Sequence, residues 1–360
     1  MGVFLDIETN ITYDDKDMIR SKINESLGRL ETSGNAIRSG QSVVIKANII
    51  GAFSIEKAVC TNPVVVRCVV EELQKRKVNV TIAEECMDTK APQMSGILEV
   101  AQELRVKFIN LYKTSFQSIV INGTTYEYYD EFLKYDHLIL IPKLKTDILT
   151  YYTGAIKLMY GAITKRQRVE THKYIDPTDF AKILVDIYSI RIPTLTIMDG
   201  IVSMDGAGPI FGTQNYSGIL LISNDAVMLD YYASSMMKYN ALRIDMINMA
   251  IEQGLASAKP EEVKVIGCDI KDIHNKFDLI PMLNGDKRIR FLRRILGVPK
   301  VNESKCLKCG SCFRSCPYGA ITLGISYPLI EYKKCMMCFC CMGTCQSGAI
   351  VSDYYVTLRQ

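Results

Sequence analysis

The chain has 360 residues, 48% of them apolar and 23% charged, a length that suits two or three domains and a balance that excludes a disordered or fibrous chain. No run approaches the ~18 apolar residues of a membrane helix. The formal net charge of +4 sits entirely in residues 300–360, with seven Lys/Arg against three acids, so the remainder nets zero and offers no general basic surface for nucleic acid.

In chain order, the start MGVFLDIETNITYDD has no basic region followed by an apolar core and does not read as a signal peptide. Residues 1–40 are polar and helix-compatible around Met18–Leu30. A regular alternation follows. QSVVIKANII is a buried-strand run, PVVVRCVVEELQKRK a helix opened by proline, VNVTIAEE a strand, GILEVAQELRV a helix and VKFINLY a strand. INGTTYEYYDEF interrupts the series as an antiparallel excursion. HLILIPKLK is a strand running into a loop, DFAKILVDIYSI a helix, PTLTIMDG a strand ending in a glycine turn and SGILLIS a strand. DAVMLDYYASSMMKY and ALRIDMINMAIEQGLA are helices, and EEVKVIG closes the series. Strands alternating with amphipathic helices predict an α/β domain over residues 1–298, a largely parallel sheet with helices on its faces. Arg290–Leu296 reads as a short helix leading into residues 299–360.

Those last residues carry the most specific signal. Eight of the thirteen cysteines form two sets, each C-x2-C-x2-C-x3-C: Cys306, Cys309, Cys312 and Cys316, then Cys335, Cys338, Cys341 and Cys345. Adding 29 to the first set, and to Gly319, Ala320 and Ile321, gives the second, so one supersecondary unit is used twice. This is the bacterial ferredoxin run, whose fourth cysteine serves the other cluster. It predicts a small α+β ferredoxin-like domain with two [4Fe–4S] clusters. Cys306, Cys309, Cys312 and Cys345 hold one; Cys335, Cys338, Cys341 and Cys316 hold the other. Zinc knuckles lack the third evenly spaced cysteine, and disulfides need an oxidising compartment. Gln346 replaces the proline expected after the last cysteine, and Cys340 is an extra thiol read as packed beside Cys341. Ligating thiolates would offset the positive charge here. Oxygen-sensitive clusters point to a cytoplasmic protein of an anaerobic host.

In α/β domains ligands sit beyond the carboxyl ends of strands. Residues there are Lys46 and Asn48, Glu84 and Glu85, Lys143, Lys145 and Asp147, Asp199, and Asp205 in DGIVSMDGAGP. Such residues are more often solvated or helix-capping than chemical. Lys157, in TGAIKLMYG, follows an apolar pair and needs a partner if buried. Of three histidines, His172 lies near a tyrosine and charged groups, while His137 and His274 are weaker acid–base candidates. Gly206, Gly208 and Gly212 do not form a dinucleotide fingerprint, and no phosphate-loop motif occurs. Cys60, Cys68, Cys86 and Cys268 lack ligand spacing and read as buried thiols.

K-x-N in VVIKANI, IPKLKTD…TGAIKLMYG with His172 after it, DGIVSMDGAGPIFG and DAVMLD together resemble the uncharacterised family catalogued as domain of unknown function 362, whose members often carry a C-terminal two-cluster ferredoxin module. The resemblance spans about residues 40–360. Asp147 stands where a histidine commonly follows the K-T pair, and Leu158 where an asparagine often follows the lysine, so at this loop the chain departs from the family pattern and the resemblance alone does not carry over metal or substrate chemistry.

The leading expectation is an iron–sulfur oxidoreductase that passes electrons through two [4Fe–4S] clusters to or from a small anionic ligand. Lys145, Lys157, Asp199 and Asp205 would converge on one crevice facing a cluster, with His172 or Asp205 supplying a proton. The rivals are a non-catalytic electron carrier or electron-transfer subunit, and a cluster-bearing redox sensor. A ferredoxin- or flavodoxin-type redox partner is expected, nucleic acid is not, and homo-oligomers and a flavin bound without a motif stay open.

Overall fold

The computed structural model describes residues 2–352 except 33, 87–89, 173, 175, 271–272, 274–276, 284 and 346. His274 and Gln346 therefore lie outside the described residues. The chain begins β1 (Phe4–Glu8), α1 (Lys16–Thr32), β2 (Ser42–Ala47), α2 (Pro63–Lys75), β3 (Asn79–Glu84), α3 (Ala91–Met94), α4 (Ile97–Glu103) and β4 (Lys107–Asn110). It continues through β5 (Phe116–Ile121), β6 (Thr124–Tyr129), β7 (His137–Ile141), β8 (Lys143–Asp147), β9 (Tyr151–Thr153), α5 (Ala155–Leu158), α6 (Lys165–Thr171) and α7 (Pro177–Ile190). Then come β10 (Leu195–Asp205), β11 (Thr213–Asn215), β12 (Ile219–Ser223), α8 (Ala226–Met236), α9 (Asp245–Glu252), β13 (Lys264–Gly267) and α10 (Gly285–Leu296). The cysteine-rich segment holds β14 (Pro299–Val301), α11 (Ser311–Arg314), β15 (Ile321–Leu323), β16 (Pro328–Ile330), α12 (Cys340–Gly343) and β17 (Ile350–Ser352).

The main sheet runs β13-β1-β12-β10-β7-β2-β3-β4, with β8 and β11 on the far part of β10 and β9 on β8. Pairs from β10 through β7, β2 and β3 to β4 are parallel, as is β1 with β13. The fold is α/β, as the alternating pattern predicts. Both faces of the sheet are covered. Val43 and Ile45 point to a core with α1, α2 and α4, while Val44, Leu138 and Leu140 point to a second core with α7, α8 and α9, the period-2 logic of a sheet buried on two sides.

Three features differ from the sequence reading. FLDIE is a strand, β1, rather than part of a polar helical lead. SGILLIS is antiparallel to both its neighbours, β1 and β10, because apolar content reports burial and not direction. HLILIPKLK is two strands, broken at Pro142, which has no amide to give the ladder; its carbonyl still accepts from Asp199 N at 2.9 Å. The antiparallel excursion is the β5–β6 hairpin, and α10 contains the predicted short helix.

In the cysteine-rich segment β14 pairs with β17 and β15 with β16, both antiparallel. Since β14 and β16 are equivalent under the 29-residue offset, as are β15 and β17, each copy lends a strand to the other.

Candidate functional site: a buried row of charges and two groups of thiols

β8 is a strand of sequence KLKTD with all five residues buried. Alternation puts Lys143, Lys145 and Asp147 on one face, and each charge finds a partner. Lys143 lies opposite Asp199 in register and bonds it at 2.8 Å. Asp199 also accepts from Tyr13 Oη at 2.8 Å and Asn62 N at 2.8 Å, and the Tyr13 hydroxyl in turn accepts from Lys143 at 2.8 Å. Burial, then the Asp199 carboxylate, raises the Tyr13 phenol. At the other end Lys157 pairs with Asp147. Burial alone would raise Asp147, but Lys157 and the amides of Thr150 and Leu149 hold its carboxyl below the usual range. Between them, Lys145 donates to the Val59 carbonyl at 2.7 Å, and burial pushes its ammonium down to about 7 against the milder pull of Cys60 and Asp147.

A second buried pair joins neighbouring strands: Lys46 and Glu84 at 2.5 Å, both nearly without solvent. Burial lowers the lysine and raises the glutamate, each opposed by the other's charge. Gly161 closes TGAIKLMYG over this pair, where a Cβ would stand 2.7 Å from Lys46 Nζ. At the other end of the motif, Gly154 lets Asp230 reach the α5 amides: its carboxylate accepts from Ala155 N at 2.8 Å, Ile156 N at 2.9 Å and Tyr152 Oη at 2.9 Å, and a Cβ at 154 would meet it at 2.2 Å. The motif residues thus bind mainly one another.

Lys145, Lys157 and Asp199 belong to this row. Asp205 ends β10 next to Met204, the residue opposite Lys145, but has partners of its own, accepting from Asn215 Nδ2 at 2.8 Å and Asp278 N at 3.1 Å. His172 packs between Tyr160 and Phe180, with Nδ1 at 2.8 Å from the Tyr160 hydroxyl. Burial, then Lys157, Lys165 and Arg168, push it down to about 3, so at neutral pH it carries no imidazolium proton to give. His137 bonds Thr194 and Gln41 at the start of β7, a structural role.

Helix α6 brings positive charge to Cys340. Lys165, Arg168 and Tyr160 all lie within electrostatic reach of Cys340. Arg168 pairs with Glu85, and burial brings its guanidinium down to about 10. Around this corner Glu84 Oε2, Glu85 Oε1 and Arg168 Nε are buried without hydrogen-bond partners among the described residues, an expensive condition that a polar ligand would relieve. Sequence reasoning flagged both glutamates as strand-end residues but missed Lys165 and Arg168, which lie in an undistinguished helical stretch just after TGAIKLMYG, and gave no role to Tyr160 inside that motif.

The thiols gather in two crossed groups. Cys316, Cys335, Cys338 and Cys341 line one cavity together with Tyr318, Met336 and Phe339. Cys312 interacts with Cys345 and Cys306, and Cys309, in the same loop, is exposed, its Sγ 3.4 Å from Ser311 Oγ. At matching places in the two copies, Ala320 N donates to Cys316 Sγ at 3.3 Å and Ala349 N to Cys345 Sγ at 3.2 Å. Lys308 and Met337, and likewise Gly319 and Gly348, share left-handed backbone. The inner group faces the α/β core: Met337 and Phe339 are buried in it, Phe339 meets Phe211 edge-on at 5.2 Å, Arg293 donates to the Cys335 carbonyl at 3.2 Å and Tyr318 Oη to the His172 carbonyl at 2.8 Å.

Among the described residues no helix is long and apolar enough to cross a membrane. The thylakoid-associated protein sll1697 of Synechocystis is 23% identical over 216 residues, 59% of this chain and 67% of that protein. The lactate racemase apoprotein of Thermoanaerobacterium thermosaccharolyticum is similar at 12% identity and a TM-score of 0.39, over 57% of this chain and 51% of that one, so the chain spans about half its length. Residues 298–321 match a 4Fe-4S binding domain, which supports iron–sulfur binding at the first cysteine set. Residues 43–235, more than half of the chain, match the domain of unknown function DUF362, and the chain belongs to that family.

Proposed function

We propose that the protein is an iron–sulfur oxidoreductase that carries electrons through two [4Fe–4S] clusters to or from a small anionic ligand. The outer cluster is held by Cys306, Cys309, Cys312 and Cys345, the inner one by Cys335, Cys338, Cys341 and Cys316. When bound, two such clusters supply single electrons in sequence. The ligand is met at the corner formed by Glu84, Glu85, Lys165 and Arg168. The observation that carries this reading is the set of buried atoms there without partners among the described residues, Glu84 Oε2, Glu85 Oε1 and Arg168 Nε, with Arg168 in electrostatic reach of Cys340. Lys165 and Arg168 supply positive charge for an anion, and the glutamates accept from its donor groups.

The test is anaerobic purification from the native host, with analysis of co-purifying small molecules and of the electron paramagnetic resonance spectrum of the reduced protein. A small anion that is lost in Arg168→Leu, with a change confined to one cluster signal, supports the proposal. An empty corner and an unchanged spectrum in the variant refute it. The second reading, a non-catalytic electron carrier, is favoured by one fact: Lys46, Lys143 and Lys157 already have internal carboxylate partners and need no ligand charge.

A further inference from the structure

The two thiol groups differ in what surrounds them. The inner group is enclosed by the α/β core, whereas the outer one reaches solvent at Cys309. Around that opening stand Leu307, Phe313, Leu323, Ile325 and Leu329, all exposed, Ile325 fully so. They belong to one surface. Leu307 lies in the cysteine loop and Phe313 on α11, which packs on β15. Leu323 lies 3.8 Å from where a Gly310 Cβ would be, and Leu329 3.4 Å from that of Gly324. Large apolar side chains gathered at a hairpin tip and a neighbouring loop mark an interaction site. The rim is basic. Lys305, Lys308 and Arg314 are exposed, and among the described residues no ion pair involves Lys305 or Lys308. Of the nearby acids, Glu331 is engaged by Lys334 and Glu303 stands by Tyr327.

We propose that this surface, apolar at its centre and basic at its rim, docks an acidic one-electron carrier protein against the Cys309 edge of the outer thiol group. The inference rests on the electron-carrying reading above and adds the entry side. Lys305 and Lys308 steer a negatively charged partner. The leucines and Ile325 supply the dry contact that holds it close while one electron moves from the reduced carrier, which is thereby oxidised, into the chain, which is reduced by one electron. An apolar face without that rim would suit a second copy of this chain equally; the unpaired lysines favour an acidic partner.

The test uses the cluster-loaded protein and stopped-flow kinetics with two reductants: a reduced, strongly acidic two-cluster ferredoxin, and the methyl viologen radical. Wild type should take electrons from the ferredoxin at a rate that falls as salt is raised. Lys305→Glu with Lys308→Glu, and separately Ile325→Ser, should each lower that second-order rate about tenfold or more, while the rate with the cationic methyl viologen radical does not fall and the iron content stays unchanged. Ferredoxin rates equal to wild type in both variants overturn the docking proposal. So does a patch whose loss abolishes self-association in sedimentation, or binding to anionic phospholipid vesicles, without touching the ferredoxin rate. Failure of methyl viologen to reduce the iron-loaded wild type refutes instead the electron-carrying reading on which the proposal rests.

Discussion

The hydroxyls of Ser315 and Thr344 share a hydrogen bond of 2.9 Å in the interior of the cysteine-rich segment, and the two residues occupy the same place in copies 29 residues apart. A self-pairing of equivalent positions means that the copies are related by a local two-fold axis passing between them. The strand exchange, β14 with β17 and β15 with β16, obeys the same axis. So do Cys312 and Cys341, both buried in the small core beside it. Such an axis carries the last cysteine of each copy toward the first three of the other.

Ligand crossing follows from that symmetry. Cys316→Ser should damage the cluster held by Cys335, Cys338 and Cys341, and Cys345→Ser the one held by Cys306, Cys309 and Cys312. Electron paramagnetic resonance of the two reduced variants checks it. Each variant losing the signal of its own local set would mean that the ligands do not cross.

The Lys46–Glu84 pair should matter to stability more than its exposure to view suggests. Removing one partner leaves a buried charge alone, so Lys46→Met should cost about 3–5 kcal/mol in urea unfolding. Lys46→Met with Glu84→Leu should recover much of that loss, because the buried charge goes with it. A double variant as unstable as the single one would show that the pair does more than neutralise itself.

Most of the α/β architecture was legible because VVIKA, LILIP and ILLIS are apolar runs bounded by turns, and the cysteine spacing identified the module outright. Strand direction was not legible: β12 looks like its parallel neighbours in composition. The site was legible only in part. Lys145, Lys157 and Asp199 lie inside β8, α5 and β10 with apolar neighbours, and burial there demands partners. Asp205 has the same local signature but is taken up by Asn215, because β10 runs on past Asp199 and the chain turns back to pair with it as β11. Lys165 and Arg168 carry no local signal, since what distinguishes them is Cys340, more than 170 residues away in sequence.

The pH dependence of stability should bear the mark of Lys145. Its folded value of about 7 lies below the ordinary lysine value, so between about pH 7 and 10.5 the unfolded chain holds a proton that the folded chain does not. Stability from this group is therefore complete above about pH 10.5 and is lost as pH falls through 7, at about 1 kcal/mol per pH unit. Lys145→Met should remove that slope and be the more stable protein at pH 7. An unchanged slope in the variant would mean that Lys145 stays charged in the fold.

His172 should not titrate near neutrality. With the folded value at about 3, its ring resonances should stay constant from pH 5 to 8, and stability from this group should fall only as pH drops below about 6.5 toward 3. A midpoint near 6.5 in the native protein would restore His172 as a proton donor.

The most direct test of the account is the iron and acid-labile sulfide content of protein prepared without oxygen. Two crossed sets of four thiolates predict about eight of each per chain. About one zinc per cysteine set, with no sulfide, would contradict the account at its centre.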